Sequence, residues 1–340
     1  MIRRTNKRIF KSIYRELLRS SLIDAWKDRW LWPLAIFAAL LHTGGIYDVI
    51  LRSMHMVQVE GAALIKGGSS SAVLYGWANL TFQHGWLPFL GTLQSVIFSI
   101  LFVLTLLALS VIAQGALIFG IGGRVRGKKP SFRECLTVGA HAFGKLAMLN
   151  IITIGTIWLS RLLLLLPYGY AQTRTSSTFI LVYFLTAIVF IALTIALTSI
   201  HFFALNAIIL QEAHLMEALE RSILLLRKGW VAVLEIAFLS FGIGIAIFML
   251  AIVTFSIMSI PFFFLMFGGL MIGFQAGIFF GYGVVIFLAI MIALVAGALT
   301  VVFQYAVWHR LFIKLGEGGP VAKLHRWSHW FLGAPQPKKK

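Results

Sequence analysis

Charge is scarce in this chain, and acid scarcer still: 12% of its 340 residues are charged, with 11 Asp+Glu against 29 Lys+Arg. A soluble domain carries roughly 25% charged residues. A chain that is 60% hydrophobic, with a mean hydropathy of +0.92, has too little polar surface to stay in solution. One cysteine, Cys135, excludes a disulfide framework and every multi-cysteine metal site. HExxH, a glycine-rich phosphate loop and GxSxG are also missing. No catalytic residue, metal or cofactor is therefore expected, and the chain is read as non-enzymatic.

Long apolar runs are what the chain has instead. A spanning helix needs about 20 apolar residues. Six segments meet or approach that length: 30–47 (the shortest), 90–120, 146–166 ending at Pro167, 179–210, 230–258 and 277–308. Residues 1–29 form a basic amphipathic segment before them, and residues 309–340 a basic tail after them. Nine Lys/Arg precede the first apolar run, and no small-residue cleavage site follows, so that run is expected to stay as a helix. Residues 262–308 are almost wholly apolar, with no polar loop to mark a turn. A seventh span would put the basic tail outside, so the glycine-rich stretch Phe262 to Gln275 is expected as an outer turn or a shallow re-entrant segment.

Lys and Arg set the orientation. Of the 29, 25 fall in the N-terminal tail, the second and fourth loops and the C-terminal tail. Arg52, Lys66 and Arg174 fall on the other side, and Arg161 within a span. Both termini are thus expected in the cytoplasm, with a prokaryotic plasma (inner) membrane the simplest address. The same placement decides what the net charge of +18 is for. Cations flanking apolar helices meet anionic lipid headgroups at about 1 kcal/mol each. Nucleic-acid binding needs a basic face with base-reading elements, and none is present. Membrane lipids, through anionic headgroups at the cytoplasmic face, are the expected partners.

Three boxes resemble one another. Glu16, Leu18, Ser21 and Lys27 recur as Glu134, Leu136, Gly139 and Lys145, and again as Glu217, Leu219, Ser222 and Lys228. Each box is Glu-x-Leu-x-x-small, with Lys eleven residues after Glu and a membrane hairpin following directly. The pattern reads as a threefold repeat. In the first box Ile9, Phe10, Ile13, Tyr14, Leu17 and Leu18 share one helical face, with Arg8, Lys11, Arg15 and Arg19 on the other. That is an interfacial amphipathic helix, and the small residue in each box suits close packing against a span. Val321, Leu324, Trp327, Trp330 and Phe331 offer a fourth amphipathic piece in the tail.

The stretch from Ala204 to Glu212, then Met216 to Ser222 and Leu226 to Trp230, resembles the membrane domain associated with glycerophosphoryl diester phosphodiesterases and its stand-alone six-span relatives. Those proteins carry an apolar stretch, an acidic turn, a Glu-Ala-Leu-x-Arg-Ser helix and a Lys/Arg-Gly-x-Trp return into the membrane. The resemblance implies a polytopic α-helical fold. It carries over no catalytic residue, because the phosphodiesterase chemistry belongs to a separate soluble barrel. Three two-span units are also similar in topology to the mitochondrial carriers, but none of the eight prolines starts that family's Pro-x-Asp/Glu-x-x-Lys/Arg motif.

Glu235 is the acidic residue within a span and Arg161 the basic one. Glu235 suits either a proton or cation site or a packing pair with Lys228. Arg161 suits either an anionic ligand or snorkelling to the outer interface. Gln114, Asn150, His201, Asn206, Gln275 and Gln304 suit interhelical hydrogen bonds. Gly269, Gly273, Gly277 and Gly281, at four-residue intervals, suit close helix packing or a flexible vestibule. Met54-His55-Met56 and the pair His325 and His329 are poor metal sites. Asn79-Leu-Thr81 is a glycosylation sequon only in a secretory pathway.

The expected fold is an all-α integral membrane protein with six transmembrane helices as three hairpin repeats, each preceded by a cytoplasmic interfacial amphipathic helix. The expected function is a lipid-interacting, envelope-organising platform. The alternative is a small transporter built around a site among the repeats, with Glu235 and Arg161 as its charges.

Overall fold

In an apolar medium every backbone N–H and C=O must find a partner within the chain, which leaves the helix as the only single-segment solution. The computed structural model describes residues 13–39, 86–171 and 177–317, and among them there are helices and turns but no strand. In chain order the helices are α1 (Ile13–Lys27), a 3-10 turn (Arg29–Leu31), α2 (Trp32–Ala39), α3 (Trp86–Val125), α4 (Phe132–His141), α5 (Phe143–Ala171), α6 (Ser177–Gln211), α7 (Leu215–Ile272) and α8 (Gln275–Gly316). Five of them, α3, α5, α6, α7 and α8, are long and apolar enough to cross a membrane. Of the expected first span 30–47, only the part through Ala39 lies within the described residues. Several hydroxyls inside the long helices are satisfied locally. Ser110, Ser199 and Thr300 donate to the carbonyls of Leu106, Ile195 and Ala296 at 2.7, 2.6 and 2.7 Å.

Three boundaries differ from the sequence expectation. The fifth apolar run does not stop near Pro261: α7 continues through that proline to Ile272. The stretch 262–275 is therefore mostly helix, with its turn near the end. It is the end of one helix, a tight turn, and the start of the next. Gly273 takes the left-handed conformation at φ 71°, and the Phe274 N–H donates to the Gly269 carbonyl at 2.8 Å. Pro167 likewise does not end its helix, since α5 runs on to Ala171. A proline costs one backbone hydrogen bond, whereas unwinding in lipid would expose many.

α7 is two segments in one. Gly229 (φ −126°, ψ 22°) leaves helical geometry and separates a short amphipathic part, 215–228, from a long apolar part, 230–272. A Cβ at Gly229 would lie 2.5 Å from Leu315 Cδ2, so the bend also lets α8 approach closely. α4 is a separate short helix with a capping box: the Glu134 N–H donates to the Ser131 hydroxyl, and the Ser131 N–H donates to the Glu134 carboxylate.

The packing has a regular order. α3, α6 and α8 touch one another, while α2 lies on α3, α5 on α6 and α7 on α8. The short helices sit outside: α1 packs on α8 and α4 on α3, and the first part of α7 reaches α6 through Arg221 and Gln211. The core fills the half of the bundle that ends in the basic loops. There Phe202 stacks on Trp308 with centroids 5.5 Å apart, and meets Tyr305 edge-on at 5.0 Å. Leu117, Ile118, Phe203 and Leu311 are buried around them. The opposite half shows large exposed apolar side chains, among them Phe98, Leu250, Phe264, Met271 and Phe279. Such a surface suits lipid. α1 and the residue after it are tied to the core by two ion pairs, Asp24 with Arg310 of α8 and Asp28 with Arg124 of α3.

Candidate functional site at the basic end of the bundle

Six polar residues of the long helices meet in the packed half, in three interhelical pairs. Asn150 Nδ2 on α5 donates to Gln114 Oε1 on α3 at 2.9 Å. The Thr153 hydroxyl on α5 donates to the Leu149 carbonyl at 2.9 Å, so it must accept from His201 Nδ1 on α6, 3.0 Å away. Asn206 on α6 offers Oδ1 to His309 Nδ1 on α8 at 2.7 Å. Both imidazoles thus carry their proton on Nδ1, and each buried Nε2 is left without a hydrogen-bond partner. Gln114, Asn150, His201, Asn206, Gln304 and His309 are all at most 3% exposed. The sequence picked out Gln114, Asn150, His201, Asn206 and Gln304 but not Thr153 or His309, whose signal is no stronger than any hydroxyl or basic residue near a helix end. Gln275 begins α8 at the turn, far along the chain from these pairs.

The three boxes share a burial pattern. Ser21, Gly139 and Ser222 are buried, and so are Leu17, Cys135 and Ala218, four residues before each. Leu18, Leu136 and Leu219 are half-buried, and Glu16, Glu134 and Glu217 are exposed. The closest approach is at Gly139, where a Cβ would lie 2.3 Å from the Ile112 carbonyl oxygen and 2.9 Å from the Ala116 nitrogen. Only glycine allows α4 so near the backbone of α3. The acidic residues do different work. Glu134 caps α4, and Glu217 pairs with Arg221 one turn on. Lys145 Nζ lies 3.4 Å from both the Glu212 and Ala213 carbonyls beyond the end of α6. Lys27 and Lys228 are exposed.

A cleft of about 470 Å³ opens where α3, α6 and α8 end. Its cationic side chains are Arg126 after α3 and Arg221 and Lys228 on the first part of α7. Its apolar wall comes from Leu210, Leu224, Leu225, Phe312 and Ile313. Gly122 links this wall to the Asn206–His309 pair. A Cβ on Gly122 would lie 2.8 Å from Leu210 Cδ2 and 3.3 Å from His309 Cε1. The cleft has no carboxylate in its lining.

Nearby, burial pushes the Asp28 carboxyl above its usual range, with the Arg124 charge pulling the other way. Burial, helped by the charge of Glu134, pushes the Cys135 thiol up to about 11. Among the described residues no group of three or more His, Cys, Asp and Glu is placed to hold a metal ion.

Glu235 does not line this cleft. Glu235 is half-buried on α7 and is not without a partner. Arg161 falls on α5, and its side chain lies outside the described residues. So do Met54-His55-Met56, the sequon at Asn79, and His325 and His329 with the rest of the amphipathic tail. The glycine series lies at the far end of the α7–α8 hairpin. A Cβ on Gly281 would lie 2.6 Å from Met266 Cγ, on Gly277 2.5 Å from Phe274 Cδ1, and on Gly269 3.1 Å from the Phe274 oxygen, while Gly273 makes the turn. No family model matches the chain, and no curated protein or solved structure shows significant similarity to it.

Proposed function

We propose that the chain is a non-enzymatic, lipid-interacting membrane protein that organises the envelope as a platform, with six spans in three hairpin repeats and both termini in the cytoplasm. The observation that carries this reading is the pairing of buried polar side chains between the long helices. Among the described residues, Gln114 with Asn150, Thr153 with His201 and Asn206 with His309 pair helix to helix and are almost fully buried, as packing groups are, and the open cleft lies at the basic rim. The order of packing supports the repeat. Each short helix rests on the last long helix before it, and α1 rests on α8, so the three units would close into a ring. The shared burial pattern of the three boxes points the same way. The resemblance to the six-span membrane-domain family fits this architecture. The basic residues gathered at one end favour that end as the cytoplasmic face with its anionic headgroups.

Native mass spectrometry on protein gently extracted from its own membrane tests the reading, comparing wild type with Arg161→Ala and Glu235→Ala. Retained anionic phospholipid, unchanged in both variants, is the expected result. A defined small solute that either substitution abolishes would instead establish a site inside the bundle. The second reading, a small transporter, has one set of observations in its favour: the buried atoms without a hydrogen-bond partner on the long helices, Nε2 of His201 and His309, Oδ1 of Asn150, Oγ1 of Thr198 and Oε1 of Gln304.

A further inference from the structure

The cleft at the basic end combines two features that seldom share a surface. Arg126, Arg221 and Lys228 converge on it, yet part of its wall is hydrocarbon, with Leu224 47% exposed and Phe312 behind it. Arg221 is already held in place, its Nη1 donating to Gln211 Oε1 at 2.8 Å and its Nη2 paired with Glu217. Arg126 and Lys228 make no ion pair with a carboxylate among the described residues.

Cations near helix C-termini often do no more than complement the helix dipole. Lys145 shows what that looks like here, with Nζ placed on two terminal carbonyls. Arg126 and Lys228 are not placed so, and they face the cleft instead. A free inorganic anion would use the cations but gain nothing from the leucines. A molecule with phosphate at one end and hydrocarbon at the other uses both.

We propose that this cleft binds an anionic phospholipid, its phosphate between Arg126, Lys228 and Arg221 and the start of an acyl chain along Leu224 and Phe312. The inference rests on the lipid-interacting reading above and gives that reading a defined site.

The test uses full-length protein, delipidated in mild detergent and titrated in native mass spectrometry with phosphatidylglycerol and with phosphatidylcholine of the same chains. Arg126→Gln/Lys228→Gln is compared with Lys128→Gln/Lys129→Gln, a pair of exposed cations outside the cleft, and with Leu224→Asn. Unchanged melting temperatures establish that all three variants fold. Wild type and the Lys128/Lys129 variant are expected to bind one phosphatidylglycerol in preference to phosphatidylcholine. Losing two interfacial cations should weaken that binding roughly 30-fold, and Leu224→Asn should weaken it with the charge unchanged. Equal losses in the two charge variants, or none in Arg126→Gln/Lys228→Gln, would overturn the cleft as the site and leave the lipid reading standing. Displacement of the lipid by millimolar inorganic phosphate, with Leu224→Asn silent, would make it a free-anion site and overturn the proposal. Absence of any preference for phosphatidylglycerol in wild type would overturn both.

Discussion

Cys135 shows how one residue's environment decides its chemistry. The thiolate is the reactive form of cysteine. At Cys135 burial and the neighbouring Glu134 both oppose ionisation, raising the thiol to about 11, and the side chain is 0% exposed. At pH 8 the thiolate fraction should be roughly 100-fold below that of an ordinary cysteine. The expected result is that a small thiol reagent labels the folded protein at least that much more slowly than the denatured chain. The rate should rise as pH climbs toward 11 for as long as the fold persists. Labelling of the folded protein at the denatured rate would mean that α4 does not sit on α3 as described. The sequence marks Cys135 only as a lone cysteine. Its burial follows from its being four residues before Gly139 on the face turned to α3.

At the scale of the element, close approach is set by small residues, and glycines in similar settings should behave in opposite ways. Gly139→Ala would drive a Cβ into the backbone of α3, which cannot move aside as a side-chain tip can. A loss of about 1–3 kcal/mol in unfolding free energy is expected, read from a denaturing-detergent titration. Gly144→Ala, early in α5 with nothing within 4 Å of the added methyl, should be neutral or gain up to about 1 kcal/mol from helix propensity. Equal effects would show that α4 is not docked. Elements were largely legible in the sequence because lipid demands about 20 apolar residues and rejects open backbone. Turn signals were less so. Pro167, Pro261 and the glycines from Gly268 onward look like loop residues by aqueous rules, yet the helices run through both prolines and turn only at Gly273. The same demand makes α8, with 42 residues, about 63 Å long. That is more than a hydrocarbon core of about 30 Å requires.

For the whole molecule, the candidate site was the least legible part. Its groups lie far apart in the chain. Asn150 and Gln114 are 36 residues apart, Thr153 and His201 are 48, and His309 and Asn206 are 103. Arg126 and Lys228 read as topology determinants, and only the convergence of α3, α6, α7 and α8 brings them to one cleft. The small residue of each box stands out in the sequence, and Ser21, Gly139 and Ser222 are buried. What they dock against follows from the tertiary arrangement, in which α1 reaches α8 and is held by the Asp24–Arg310 pair.

The central claim is that the interior is packed solid and carries no aqueous path. Thr153→Cys on α5 and Thr198→Cys on α6, each made in a Cys135→Ala background, test it most directly. Both positions are buried, at 8% and 5% exposure, and the exchange changes side-chain volume little. Membrane-impermeant thiol reagents would be applied in turn to each face of sealed membranes. The account predicts that neither cysteine is labelled from either side, while a cysteine at exposed Lys128 in the same background is labelled from one. Labelling of Thr153→Cys or Thr198→Cys from one or both faces would reveal water in the bundle and contradict the platform reading in favour of transport.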